Sequence, residues 1–263
     1  MKLARTWLIA AALTGFACDL TAADLQVRTW NVGGVTREAL VSIPAGNPPA
    51  AGWPVVFAFH GHGGNMRQAS RSFPIHDAWP DAIVIYPQGL PTPSPMIDKD
   101  GRWPGWQNAA GEQEDRDLRF FDAMLASLRA DYRIDNNRIY ATGHSNGGVF
   151  TYLLWAERGD VFAAFAPSAA LQIRGFLKMQ PKPALHLASP NDPLVKYAWQ
   201  SRMIDYLLRV DHCGPRKPDE SGYVSYPSSN GNDVAVYLHG YGHRFPPEGA
   251  DVIVRFFKAH SRS

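Results

Sequence analysis

A serine flanked by glycines, in the Gly-His-Ser-Asn-Gly segment at residues 143–147, constrains the fold of this chain more than any other feature. Residues 138–142 before it are rich in β-branched and aromatic side chains and predict a short strand. After it, apolar residues recur at helical spacing through Glu157 and predict a helix. A strand that turns directly into a helix leaves no room for a Cβ beside the turn, so glycines are needed there. The pattern predicts a strained turn that lifts the Ser145 hydroxyl above a sheet edge, near the free N–H groups of a helix N-terminus.

The order of the predicted elements indicates an α/β fold. Apolar runs predict buried strands at residues 54–59, 82–86, 162–167, 184–188 and 233–238. Helical spacing of apolar residues predicts further helices at residues 113–132, 200–210 and 250–260. Such alternation implies a mostly parallel central sheet with helices on both faces. Before this core, residues 25–30 and 36–43 flank a Gly-Gly pair and predict an antiparallel hairpin.

Length and composition limit the classes of protein that remain. The 263 residues suit one α/β domain with a large core. A hydrophobic content of 45% with 19% charged residues is typical of a soluble globular protein. The net charge of +2 is too small to indicate a nucleic-acid partner. We expect a monomer. We also expect no transmembrane segment, because no apolar stretch is long enough to span a bilayer.

Residues 1–23 predict a secretory signal peptide, which leaves residues 24–263 as a single α/β domain. Lys2 and Arg5 supply the positive region, a short apolar stretch follows, and small residues precede Asp24. A buried N-terminal helix is the alternative. Cleavage before Cys18 would allow a lipid anchor, but the residues ahead of it match a lipoprotein signal poorly. We therefore expect an extracellular or periplasmic protein.

The strand, glycine-flanked serine and helix resemble the nucleophile elbow of the α/β-hydrolase fold. A serine hydroxyl needs a base, and the base needs a third group that orients it. In that fold the chain order is serine, acid, histidine. Of the nine histidines, His243 has the expected place, on a glycine-rich turn after the last predicted strand. His239, at the end of that strand, is the alternative base.

Asp192 is the predicted acid of this triad. It follows the strand at residues 184–188, and functional groups in such folds stand at the carboxyl ends of strands. An aspartate before proline is also good turn chemistry, so a structural role is the alternative. Three other candidates lie in or after the following helix: Asp205, Asp211 and Asp219.

An oxyanion hole needs two N–H donors aimed at the developing negative charge. The residue after the nucleophile, Asn146, is expected to supply one backbone N–H. The second is expected from His62, in the His-Gly-His-Gly-Gly loop at residues 60–64. A flexible turn and a metal site built on His60 and His62 are the alternatives. No carboxylate or cysteine stands near the two histidines in sequence, so we predict no metal.

With these residues in place, the chain resembles the polyhydroxybutyrate depolymerase-like esterases, a group that includes secreted feruloyl and acetylxylan esterases. The matching stretches are residues 60–64, 86–89, 105–107, 135–140, 143–148, 162–164 and 240–243, with Pro246 after the last of them. The resemblance covers nearly the whole mature chain and implies a carboxylic ester hydrolase that needs no cofactor. His62 replaces a cysteine common in the group, and residues 187–191 depart from its usual approach to the acid.

The predicted function is therefore a secreted serine ester hydrolase that works through Ser145, His243 and Asp192. The resemblance implies small-molecule or oligosaccharide esters as substrates, either plant cell-wall esters or hydroxyalkanoate oligomers. Aromatic side chains in the long loop at residues 87–108 suit phenolic acids and sugar rings. We predict that Trp103, Trp106 and Gln107 line the substrate cleft. A serine peptidase of the same fold and a non-catalytic binding protein are the alternatives.

Overall fold

The computed structural model of the protein describes residues 24–95, 97–172, 174–218 and 222–262. The predicted signal peptide with Cys18, and the candidate acid Asp219, lie outside these ranges.

Strands and helices alternate along the described chain. The strands are β1 (Leu25–Val32), β2 (Val35–Ser42), β3 (Trp53–Phe59), β4 (Ile83–Pro87), β5 (Leu90–Pro91), β6 (Pro104–Gly105), β7 (Ile134–His144), β8 (Ala164–Ser168), β9 (Ala184–Ala188), β10 (Lys217–Pro218), β11 (Tyr223–Tyr226) and β12 (Val234–Leu238). The helices are α1 (Met66–Ser72), α2 (Ile75–Ala78), α3 (Arg116–Asp131), α4 (Asn146–Arg158), α5 (Tyr197–Val210) and α6 (Gly249–Lys258). Short 3-10 turns cover Glu112–Asp115, Gly159–Val161 and Phe176–Lys178.

A ten-stranded sheet has the order β1-β2-β4-β3-β7-β8-β9-β12-β11-β10. From β4 to β12 the neighbouring strands run parallel, which confirms the predicted mostly parallel sheet. At the N-terminal edge, β1 and β2 form the predicted antiparallel hairpin, and β2 joins β4 antiparallel. Gly33 and Gly34 make its two-residue turn with φ of 61° and 82°, values that glycine adopts without strain.

Helices cover both faces of the sheet. One layer holds α3, α4 and α5, and the opposite layer holds α1, α2 and α6. Along β3, Val55, Phe57 and Phe59 face the first layer, whereas Val56 and Ala58 face the second. The strand is fully buried on both sides, as expected for a central parallel strand. In the described part of the chain, no helix combines the length and apolarity needed to cross a bilayer.

The structure adds elements that the sequence pattern did not predict. Helix α1 buries few residues and α2 has only four, so neither carries a strong apolar period. The edge strands β10 and β11 are short, and β11 is only half-buried. Helix α3 begins at Arg116 and not at residue 113, because the three residues before it have positive φ. Each of these differences arises where tertiary contacts, and not local periodicity, decide the backbone.

Candidate active site

Ser145 stands on the turn between β7 and α4, with φ of 56° and ψ of −121°. This conformation is strained for a residue with a Cβ and persists because its surroundings hold it. A Cβ on Gly143 would collide with the backbone of Gly147, and a Cβ on Gly147 would collide with that of Phe59. The Ser145 N–H donates to the carbonyl of Ser168 at 2.9 Å. Both glycines are therefore required by the close approach of β3, β7 and α4.

Three side chains that are distant in sequence meet at the carboxyl ends of the parallel strands. His243 Nε2 lies 2.9 Å from Ser145 Oγ, and His243 Nδ1 lies 2.8 Å from Asp192 Oδ2. Asp192 stands on the loop after β9, and its side chain is fully buried. His243 stands on the turn after β12 and is partly exposed. A neutral imidazole in this arrangement donates from Nδ1 to the carboxylate and accepts the serine proton at Nε2.

Four donors surround the carboxylate of Asp192. Oδ1 accepts the backbone N–H groups of Leu194 and Val195, each at 2.9 Å. Oδ2 accepts from His243 and, at 3.3 Å, from the side-chain amide of Gln200. The loop therefore supplies donors to both carboxylate oxygens and fixes the orientation of the acid toward the histidine.

The other predicted base and acids occupy different places. His239 Nδ1 accepts the backbone N–H of Tyr241 at 3.3 Å, and its buried Nε2 has no partner in the described residues. Asp211 is buried at the end of α5, where Oδ1 accepts the N–H of Lys182 at 2.9 Å. Asp205 lies exposed on the same helix. None of them hydrogen-bonds to Ser145 or His243 in the described structure.

His144, the variable residue of the elbow, holds the backbone of the histidine turn. Its Nε2–H donates to the carbonyl of His243 at 2.9 Å, and its Nδ1 accepts from Ser168 Oγ at 3.1 Å. Desolvation by burial lowers the pKa of His144 to about 4, with the charge of the nearby His243 acting in the same direction. His144 therefore stays neutral at neutral pH and keeps this donor–acceptor pattern. No local signal in the sequence distinguishes it from an ordinary elbow residue.

The glycine-rich loop after β3 lies beside the serine. A Cβ built on Gly61 falls 3.5 Å from Ser145 Cβ. In the described residues the backbone N–H of His62 has no hydrogen-bond partner. The N–H of Asn146, at the first position of α4, has no partner within the helix. The two predicted donors thus belong to the segments that approach Ser145 most closely.

His60 fixes the base of this loop and is not available as a metal ligand. Its Nε2 accepts the N–H of Gly89 at 2.9 Å, and its Nδ1–H donates to the carbonyl of Gly61 at 2.8 Å. Desolvation lowers the pKa of His60 to about 4. Among the described residues, no cluster of three or more histidine, cysteine or acidic side chains could hold a metal ion.

The long loop is pinned to the elbow through the Asn146 side chain. Asn146 Oδ1 accepts the N–H of Trp106 at 2.7 Å, while Nδ2 donates to the carbonyl of Trp106 and to Asn108 Oδ1, each at 3.0 Å. The indole N–H of Trp106 donates to the carbonyl of His60 at 2.8 Å. These bonds join the long loop, the elbow and the glycine-rich loop into one unit.

The prediction that Trp106 and Gln107 line the cleft is wrong, because both side chains are fully buried. Gln107 Oε1 accepts the backbone N–H of Asp117 at 3.1 Å, and Nε2 donates to Asp115 Oδ1 at 2.8 Å. This side chain therefore accepts an N–H group that the first turn of α3 leaves without a partner inside the helix. An aromatic or amide side chain in a loop indicates that the residue makes contacts. It does not indicate whether those contacts lie in the protein core or in a substrate cleft.

Trp103, by contrast, is 53% exposed and stands beside the glycine-rich loop. Its ring centre lies 6.3 Å from that of His62. Asp98 anchors both residues: its Oδ2 accepts the Trp103 N–H at 2.8 Å and faces His62 Nε2 at 3.1 Å. No signal in the sequence singles out Asp98, because it lies in a loop without periodicity.

Fold and site together define an α/β-hydrolase. A model of the prolyl oligopeptidase family matches residues 105–206. The acetyl xylan esterase from Aspergillus awamori superposes with a TM-score of 0.67 at 14% identity, over 89% of this chain and 99% of that one. Feruloyl esterase C of Emericella nidulans is 30% identical over 215 residues, which is 79% of this chain and 72% of the relative. The chain belongs to the esterase family that includes feruloyl esterase C and is a carboxylic ester hydrolase.

A further relative shows how far this likeness extends. The bifunctional acetylxylan esterase/xylanase XynS20E of Neocallimastix patriciarum is 25% identical over 83% of this chain. The matched part is 32% of that longer protein. None of these relatives is named a polyhydroxybutyrate depolymerase, so that part of the resemblance stays a prediction.

Proposed function

We propose that this ester hydrolase acts through a covalent acyl-enzyme on Ser145, with His243 as general base and acid and Asp192 as the group that orients the imidazole. The single observation that carries the proposal is the continuous contact from Ser145 Oγ through His243 to Asp192, at 2.9 Å and 2.8 Å. An assembled nucleophile, base and orienting acid is the arrangement that activates a serine hydroxyl.

The reaction follows from this geometry. His243 Nε2 takes the proton of Ser145 as Oγ attacks the ester carbonyl carbon, and the N–H groups of His62 and Asn146 stabilise the oxyanion. The tetrahedral intermediate collapses, and the alcohol leaves with the proton from Nε2. Water then gives a proton to the same nitrogen and attacks the acyl-enzyme. As the second tetrahedral intermediate collapses, that proton passes from Nε2 to Ser145 Oγ, and the acid is released. No cofactor enters any step.

The proposed substrates are feruloyl or acetyl esters of xylan, with hydroxyalkanoate oligomers as a further class. Relatives named feruloyl esterase and acetylxylan esterase support the first class. The exposed indole of Trp103 beside the glycine-rich loop supports an aromatic or sugar ring at this position. Trp103 is the one predicted cleft residue that we keep in this role.

We also propose that the chain is exported as a monomer, with residues 1–23 removed and residues 24–263 acting as one catalytic domain. The basic, apolar and small-residue segments at the N-terminus support export to the periplasm or beyond the cell. N-terminal sequencing of the exported protein and its mass in solution test both points. A mature protein that begins at Cys18 with a lipid would replace the free form by an anchored one.

A substrate panel on purified enzyme tests the catalytic proposal. Wild type, Ser145→Ala and the control Ser201→Ala are compared on methyl ferulate, acetylated xylan, hydroxybutyrate oligomers and nitrophenyl acetate. We expect Ser145→Ala to lose at least about 10³-fold in kcat on every ester that the wild type cleaves. Ser201→Ala, a serine on α5, should match wild type. Wild-type turnover by Ser145→Ala would falsify the nucleophile assignment.

A serine peptidase is the second candidate, because the prolyl oligopeptidase family model matches residues 105–206. The same triad cleaves esters and amides, so the fold does not decide between them. Turnover of aminoacyl anilides and of short acyl esters is compared on one preparation. Preference for the anilides by kcat/KM would favour the peptidase.

A further inference from the structure

A chain of buried polar side chains continues from Asp192 into the protein core. Gln200 donates from Nε2 to Asp192 Oδ2 at 3.3 Å and to the carbonyl of Val195 at 2.6 Å. Its Oε1 lies 3.2 Å from His186 Nε2, and His186 Nδ1 lies 2.6 Å from the Tyr152 hydroxyl. Gln200, His186 and Tyr152 each have no exposed surface. Buried polar groups of this kind are costly unless every one is satisfied.

The hydrogen-bond directions in this chain have one consistent solution. The Asp192 carboxylate and the Val195 carbonyl can only accept hydrogen bonds. The group of the Gln200 amide that faces them must therefore be the nitrogen, which donates. Gln200 Oε1 then faces His186, whose Nε2 must carry the proton. His186 Nδ1 is left as the acceptor for the Tyr152 hydroxyl. A flip of any one group would set two acceptors or two donors against each other.

Burial keeps His186 and Tyr152, the two titratable groups in this series, in the required protonation state. Desolvation lowers the pKa of His186 to about 4, so the ring is neutral at neutral pH and has one N–H to give. Desolvation also raises the pKa of the Tyr152 hydroxyl well above its ordinary value, so it remains a donor. The donor-to-acceptor direction of these hydrogen bonds therefore stays the same across the neutral pH range.

We propose that Gln200, supported by His186 and Tyr152, is a positioning residue for the esterase reaction. It holds the Asp192 carboxylate in the plane and rotamer that face His243, and it shares the charge on Oδ2. This inference rests on the proposed triad. It adds three residues that touch neither substrate nor Ser145 and that act only through the acid.

A double-mutant cycle separates this role from a merely structural one. Gln200→Met keeps the length of the side chain and removes its donor, and it is made in wild type and in Asp192→Asn. In wild type we expect kcat to fall about tenfold with KM within twofold, since the loss concerns orientation of the acid in the transition state. In the Asp192→Asn background the same substitution should change kcat less than about twofold.

A pH profile gives a second readout that a structural role would not move. Without the amide donor, more charge remains on Asp192 Oδ2 and stabilises the protonated imidazole of His243. The acid limb of the kcat/KM profile of Gln200→Met should therefore move to higher pH. Gln26→Met, on the exposed face of β1, is the control and should leave kcat and the profile unchanged.

Tyr152→Phe tests the far end of the chain and serves if Gln200→Met fails to fold. It removes the hydroxyl that donates to His186 Nδ1 and leaves this buried nitrogen without a partner, which weakens the hold of His186 on Gln200. We expect kcat to fall about threefold in wild type and to stay unchanged in Asp192→Asn. Equal effects in both backgrounds, or an unchanged kcat in wild type, would overturn the inference. Ser145→Ala is measured in the same series. If Ser145→Ala is inactive, either of these contrary results counts against the positioning role alone. If Ser145→Ala is active, the triad and the inference are overturned together.

Discussion

Two buried aspartates stand at opposite ends of helix α5 and differ in how many hydrogen bonds their carboxylates receive. Asp192, before the helix, receives four hydrogen bonds from backbone and side-chain donors. Asp211, at its end, receives one bond to Oδ1 from Lys182, and its buried Oδ2 has no partner in the described residues. Desolvation accordingly raises the pKa of Asp211 to about 7. Burial alone does not make a catalytic acid; the number of donors around the carboxylate distinguishes the two.

Burial also shifts the pKa values of three histidines, and these shifts give the largest expected effect on stability. Desolvation lowers the pKa values of His60, His144 and His186 from 6.5 to about 4. Below pH 6.5 the unfolded chain binds protons that the folded protein does not, so their stability contribution is complete above 6.5 and is lost as pH falls toward 4. Between pH 6.5 and 5 the free energy of unfolding should fall by about 1.5 kcal/mol for each histidine, and by about 5 kcal/mol for the three together.

Urea unfolding at pH 7.5, 6.5, 5.5 and 5 measures this slope. Asp211, with its pKa of about 7, would take up a proton in the same window and oppose the slope, so the series is measured in Asp211→Asn. Carboxyl groups with ordinary pKa values stay largely ionised there, and the histidines then dominate the slope. His186→Gln removes one of the three groups and should reduce the slope by about a third. A free energy of unfolding that stays level from pH 6.5 to 5 would contradict the picture of buried neutral histidines.

Asp211→Asn gives the next largest effect and has the opposite pH dependence. Because the folded pKa of about 7 lies above the ordinary 3.8, the penalty for burying the charge is absent below pH 3.8 and complete above pH 7. Removing that charge should raise the free energy of unfolding at pH 8 by up to about 4 kcal/mol. At pH 4 the variant and wild type should be similar.

Thermal or urea unfolding of Asp211→Asn and of Asp205→Asn at the two pH values checks this. Asp205 is an exposed carboxylate on the same helix and serves as the matched control. Asp211→Asn should leave kcat unchanged. A loss of stability at pH 8 would mean that Asp211 is paired and ionised.

Trp103→Ala should have the smallest effect and should act on binding. The exposed indole contributes contact with a ring of the substrate but takes no part in bond making, so KM for methyl ferulate should rise about three- to tenfold with kcat little changed. Leu177→Ala, at another exposed apolar side chain, is the control. An unchanged KM for both aromatic and sugar esters would remove Trp103 from the cleft.

The sequence predicts best where chemistry and local geometry coincide. The central strands, helices α3 to α6 and the N-terminal hairpin follow from apolar periodicity and turn glycines. Ser145, Asp192 and His243 were identified because each stands beside the end of a predicted strand. The structure brings these three together, and their catalytic roles are the proposal that the experiments above test.

What the sequence could not indicate depends on contacts between distant residues. His186 looks like one more member of a buried strand, and Gln200 like a polar residue on a helix. Their hydrogen bond appears only once β9 and α5 pack together. The same holds for His144 and the backbone of His243, and for the burial of Trp106 beneath the long loop. Pairings of this kind are set by topology, which no local pattern encodes.

Covalent trapping of the nucleophile tests the central claim most directly. The enzyme is treated with an aryl phosphonate ester that mimics the tetrahedral intermediate, and the adduct is mapped by mass spectrometry of proteolytic peptides. The account predicts one adduct, on Ser145, that forms in step with loss of esterase activity and fails to form when His243→Ala is treated alike. An adduct on another residue, or full inactivation with Ser145 unmodified, would contradict it.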